Sequence, residues 1–129
     1  MKKLFVDYDE ALELKNLGYD IPCFGSYLED KTLDIGGIRY KVTPSECVLA
    51  PTYQQAFKWF RKEHGLYSGI TPKKSWPDNV VTGVEWYVEI CGGDGKEVGP
   101  DGTYSYKEAE IACLKKLIDL IKNLMNYNI

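Results

Sequence analysis

Val84-Glu85-Trp86-Tyr87-Val88-Glu89-Ile90 alternates apolar and wetter side chains residue by residue. A period of two is that of a strand with one face toward a core and one toward water. With Trp86 facing inward, Tyr87 faces away from the core. Leu66 to Ile70 is the strand expected to pair with it across the loop Pro72–Asn79. Upstream, Phe24–Leu28 and Ile38–Val42 are expected to pair across Glu29–Thr32, with Gly36-Gly37 at a bulge or second bend.

Around these hairpins, three segments begin with the same cap chemistry: Asp7 with Glu10, Thr52 with Gln55, and Ser105 with Glu108. In each, a short side-chain oxygen takes an orphan backbone N–H while the third residue reaches back to the cap. Helices follow over 8–17, closed by Gly18, over 53–63, closed by Gly65, and over 106–125. The expected order is α-β-β-α-β-β-α. Short connections and an alternating strand make this an α+β domain, an antiparallel four-stranded sheet with three helices. At 129 residues it reads as a single domain, 1–129.

On a wheel at about 100° per residue, the apolar side chains of the third helix cover an arc of about 200°. A surface helix needs a stripe only about half as wide to cover a sheet. Either another helix of the chain takes up the excess, or a second copy does. In the second case Leu114, Ile118 and Met125 are the oligomer contact. On the second helix, Tyr53, Ala56, Phe57 and Phe60 share one stripe, while Trp59 stands about 100° off it, near Lys58 and Lys62. A tryptophan outside the core stripe is either a binding anchor or a ring covered by a neighbouring loop, such as the one carrying Trp76.

Charge divides unevenly over a chain whose formal total is −3. Asp7 to Asp30 holds seven acids and one lysine, whereas Tyr53 to Trp76 holds Lys58, Arg61, Lys62, Lys73 and Lys74 against one acid. The acidic total argues against nucleic-acid binding, although the basic region is able to attract a smaller anion.

No reaction centre is expected. His64 is the one histidine, at a helix end where it caps carbonyls and the dipole favours a cation; a Cys91/His64 dyad is the sole nucleophilic pairing on offer. Gly92-Gly93-Asp94-Gly95-Lys96-Glu97 lacks the glycine spacing and hydroxyl residue of a phosphate loop. Lys96 and Val98 stand where an EF-hand needs oxygen ligands. Cys23, Cys47, Cys91 and Cys113 are scattered and read as free thiols, with no zinc cluster. Glu85 and Glu89 read as solvated carboxylates of a half-exposed sheet. Neither metal nor cofactor is expected.

Lys2-Lys3 is followed by only three apolar residues, so no secretory signal is read and a cytoplasmic setting is expected. No stretch approaches the roughly 20 apolar residues of a membrane span.

Ala50-Pro51-Thr52-Tyr53-Gln54-Gln55-Ala56-Phe57-Lys58-Trp59-Phe60-Arg61-Lys62-Glu63-His64-Gly65 resembles a motif of small bacteriophage and prophage proteins, especially those of Bacteroides-type gut bacteria. The opening Tyr8–Asp20 with Pro22–Gly25, and the closing Ser105–Leu114, are similar to the first and last helices of the same family. The resemblance implies an intracellular accessory protein and brings no activity or catalytic residue with it. The functional expectation is a non-enzymatic module that binds a host or phage protein, with Trp59, Lys58, Lys62, Arg61, Trp76 and Tyr87 as binding residues. The alternatives are sequestration of a small anionic ligand such as a nucleotide, on the same lysines and rings, and nucleic-acid binding.

Overall fold

The computed structural model describes residues 4–39, 48–75, 80–92, 99–100, 102 and 104–127, with backbone alone at 36–39, 74–75, 80–84 and 125–127. Three helices and five strands follow in the order α1 (Tyr8–Asn16), β1 (Cys23–Tyr27), β2 (Leu33–Arg39), β3 (Val48–Ala50), α2 (Tyr53–His64), β4 (Tyr67–Ser75), β5 (Val80–Cys91) and α3 (Tyr106–Tyr127). The α+β class holds. The single four-stranded sheet does not: the strands form a three-stranded sheet, β2-β1-β3, and a two-stranded one, β4-β5. The chain divides into two compact units, Met1–Trp59 and Phe60–Ile129.

In the first unit, β1 pairs antiparallel with β2, from Tyr27 opposite Leu33 to Cys23 opposite Arg39. The hairpin closes at once, because Leu28 N–H donates to Thr32 O and Lys31 N–H to Leu28 O, both at 2.9 Å. Pairing therefore starts at Leu33, five residues before the strand expected from Ile38. Between Ile35 and Arg39, β2 runs four residues while β1 advances two, from Gly25 to Cys23. The bulge thus falls where Gly36-Gly37 stand.

The other edge of β1 is taken by β3, Gly25 lying opposite Ala50. Three residues are too few to show a period, so this strand left no mark in the pattern. A Cβ on Gly25 meets Ala50 O at 2.9 Å and the Phe5 ring at 3.0 Å, so only glycine allows that approach.

Tyr27 donates its hydroxyl to Val6 O at 2.6 Å, and Val6 N–H donates to Pro51 O at 2.9 Å. These bonds tie the N-terminal segment to the sheet. They also accompany a departure from expectation at Asp7, whose side chain makes no cap hydrogen bond. The other two boxes form as written. Thr52 Oγ1 accepts from Gln55 N–H at 3.2 Å while Gln55 Oε1 accepts from Thr52 N–H at 2.9 Å. Ser105 and Glu108 exchange the same pair of bonds. Gly18 (φ 102°) and Gly65 (φ 65°) end their helices in the left-handed region, where a side chain is strained.

In the second unit, β4 runs on from the expected Leu66–Ile70 through Pro72 to Ser75. Proline is tolerated there for a reason visible across the ladder. Trp86, its partner, turns both backbone groups to Tyr104, at 2.8 and 2.9 Å. Antiparallel pairs alternate between bonded and non-bonded, so Pro72 sits in a non-bonded pair and its missing N–H falls on the outer edge.

On the far side of β5, Tyr104 bridges Trp86, and Gly99 passes so near that a Cβ there meets Val88 O at 2.7 Å. Gly99→Val is expected to push position 99 away from β5 and to lower stability by about 1–3 kcal/mol, the usual range for overpacking; a chemical denaturation curve checks it.

α3 packs on β5 and β4. Val88, Ile90, Ala109, Cys113 and Leu117 are buried, as are Leu114 (0% exposed) and Ile118 (4%). Much of the excess width of this helix is therefore covered within the chain, while Leu124 near its end stays 58% exposed. That corrects the expectation of an oligomer contact at Leu114 and Ile118, whose surfaces are out of a partner's reach; the side chain of Met125 lies outside the described residues. Among the described residues, no helix is long and apolar enough to cross a membrane.

Candidate functional site

Strand alternation sorts the β4–β5 ribbon into two faces. Ile90 and Val88 point inward and are buried, at 0% and 4% exposure. Their neighbours along the chain, Tyr87, Glu89 and Cys91, therefore stand on the outer face. The register sets Cys91 opposite Tyr67, Glu89 opposite Gly69, and Tyr87 opposite Thr71. Directly opposed residues share a face in an antiparallel pair, so Tyr67, Gly69 and Thr71 complete the outer surface.

Tyr67 is 56% exposed and Tyr87 40%. Gly69 lies on this face with nothing within 4 Å of where a Cβ would stand. At one end, Lys73 Nζ meets Glu85 Oε2 at 3.1 Å, and this carboxylate holds the ammonium pKa above its ordinary value. Glu89 is exposed and makes no ion pair among the described residues. The surface thus presents two phenol rings, an open glycine floor and one carboxylate still available for bonding.

Of the residues singled out from the sequence, Tyr87 is on this face, pointing outward as alternation with Trp86 requires. Trp59 is not exposed. It is 6% accessible and packs edge-on against Tyr19, with ring centroids 5.4 Å apart. The expectation of an anchor at Trp59 is corrected accordingly: its ring is covered, with Tyr19 against it. Lys58, Arg61 and Lys62 are exposed along the polar side of α2, and of the rings expected to stack on a nucleotide, Trp59 is covered. Trp76 lies outside the described residues, as do Cys47, the side chain of Lys74 and residues 93–98 of the glycine-rich segment.

Tyr67 and Gly69 carry no mark of their own in the sequence. The signal lies in the pairing: once Leu66–Ile70 is paired with Val84–Ile90, the wetter face of one strand fixes that of the other.

His64 lies beside Phe60, centroids 5.9 Å apart, and partial burial lowers its pKa. Cys91 stands opposite Tyr67 on the ribbon. Cys113 is buried; burial pushes its thiol up to about 11, against a hydrogen bond from Ser68 that pulls it down. Native protein treated with iodoacetamide at mildly alkaline pH is expected to keep Cys113 unalkylated by mass spectrometry, because the thiolate is the reactive form.

Tyr19 carries a buried hydroxyl with no hydrogen-bond partner among the described residues, and burial raises its pKa above the ordinary range, with smaller effects of Cys23 and Asp20. Tyr19→Phe is expected to be neutral or stabilising by up to about 1 kcal/mol, since it removes a desolvated donor and keeps the ring; the shift in melting temperature reads it out.

Among the described residues, no three His, Cys, Asp or Glu side chains come together in a group able to hold a metal ion. No family model matches the chain, and no curated protein or solved structure matches it.

Proposed function

We propose that this chain is a non-enzymatic protein-interaction module of the phage or prophage type, and that it binds its partner through the outer face of β4–β5. One observation carries the proposal: Tyr67 and Tyr87 stand 56% and 40% exposed on a single sheet face whose opposite side is buried. Tyrosine is enriched at the centre of protein interfaces because it adds a large rigid area with a polar tip. The strand is thus divided in labour, its inner residues holding the unit together and its outer ones available to a second protein. An intracellular partner from host or phage fits the resemblance of 50–65 to phage accessory proteins.

The test is a comparison of wild type with the double variant Tyr67→Ala/Tyr87→Ala in a pull-down from the host, beside thermal melts of both. Wild type is expected to retain a defined protein that the double variant loses, at an unchanged melting temperature. Retention of nothing by wild type, or equal retention by the variant, overturns the proposal.

A further inference from the structure

Glu89 lies directly across the ladder from Gly69. Tyr87 is two residues from Glu89 on one strand and Tyr67 two residues from Gly69 on the other, each step being about 7 Å along a strand. Among the described residues, nothing lies within 4 Å of where a Cβ on Gly69 would stand. The surroundings therefore form a shallow niche with a backbone floor, a phenol ring at either end of the diagonal, and a carboxylate at its side. Glu85 is engaged by Lys73 at 3.1 Å, so that pair is neutral and Glu89 leaves the niche with a single negative charge. The chain as a whole is also acidic, at −3.

We infer that the outer face of β4–β5 takes an arginine side chain of its partner, laid over Gly69 between Tyr67 and Tyr87 and paired with Glu89. The inference rests on the proposed function and adds the chemistry of the partner. Charge complementarity selects a cation. The rings select arginine over lysine, because a planar guanidinium stacks on an aromatic face and still directs two parallel N–H donors at a carboxylate. A Cβ at position 69 would fill the floor on which the side chain lies.

The probe is a blocked hexapeptide of alternating glycine and arginine, titrated into the intact chain and followed by backbone amide NMR. Counterparts carrying lysine or citrulline serve as comparisons. The arginine peptide is expected to move the amides of 67–71 and 87–91. Citrulline in the peptide, or Glu89→Gln in the protein, should weaken binding by about tenfold or more, as loss of a charge-assisted pair does. Gly69→Val should do the same without lowering the melting temperature, since valine suits a strand better than glycine. The inference is overturned by equal affinity for the citrulline peptide, by shifts confined to the acidic stretch 7–30, or by no shift at all.

The same pull-down separates the two levels. If the captured protein is lost by Tyr67→Ala/Tyr87→Ala but kept by Glu89→Gln, the interaction face stands and the arginine fails. If both variants keep it, both fail.

Discussion

Leu114→Glu is expected to leave the chain unfolded at room temperature, with loss of the helical circular dichroism signal and of any cooperative melt. Leu114 is 0% exposed on α3, and Ile118→Glu strikes a neighbouring position at 4%. A carboxylate placed there loses its water without gaining a partner, and taking one ion out of water costs several kcal/mol even after relaxation. The volume mismatch adds to this. A domain of this size has about 5–15 kcal/mol of stability in total, so the substitution removes much or all of it. The apolar arc of α3 alone left open a surface for a second copy; burial of both residues argues for internal packing. A variant that remains folded, soluble and monomeric on size exclusion would return the far side of α3 to the category of oligomer surfaces.

Trp59→Ala is expected to lower stability by about 3–5 kcal/mol, the range for truncating a buried large aromatic. Trp59 is 6% exposed and its ring meets Tyr19 edge-on at 5.4 Å, an arrangement worth a further fraction beyond area burial. Trp59→Phe should cost clearly less, since a ring remains to face Tyr19. The denaturant midpoint measures both. The same variants bear on function in a defined way: the folded fraction of Trp59→Phe should retain the partner that Tyr67→Ala/Tyr87→Ala loses. A loss below about 1 kcal/mol for Trp59→Ala, together with lost capture, would restore Trp59 as a binding anchor.

Local chemistry was legible in the sequence where a short segment carries its own signal. The Thr52/Gln55 and Ser105/Glu108 boxes could be named because both partners lie three residues apart, and both form. Gly18 and Gly65 end helices because their backbone conformation is local. Asp7 had the same pattern as the other two caps and yet makes no cap bond; there Val6 is bonded to Pro51, 45 positions along the chain, and no window of neighbouring residues records that.

The candidate site was half legible. Tyr87 follows from alternation alone. Tyr67, Gly69 and Glu89 become one surface only when the register is known, and Trp59 left the site because Tyr19, from a distant segment, reaches it. A helical wheel shows which direction a side chain takes, not what waits there.

The amino-acid order by itself marked the three helices, the β1–β2 and β4–β5 hairpins, two of three caps, an irregularity at Gly36-Gly37 and the outward direction of Tyr87, because each depends on residues a few positions apart. Tertiary structure alone decided that the strands divide into two sheets, with β3 on one edge of β1 and Gly99 and Tyr104 against β5. It also decided that Trp59, Leu114 and Ile118 are inside while Tyr67 and Tyr87 are out. The physical reason is that backbone propensity and capping act through near neighbours, whereas edge pairing and burial depend on which distant segment arrives to exclude water.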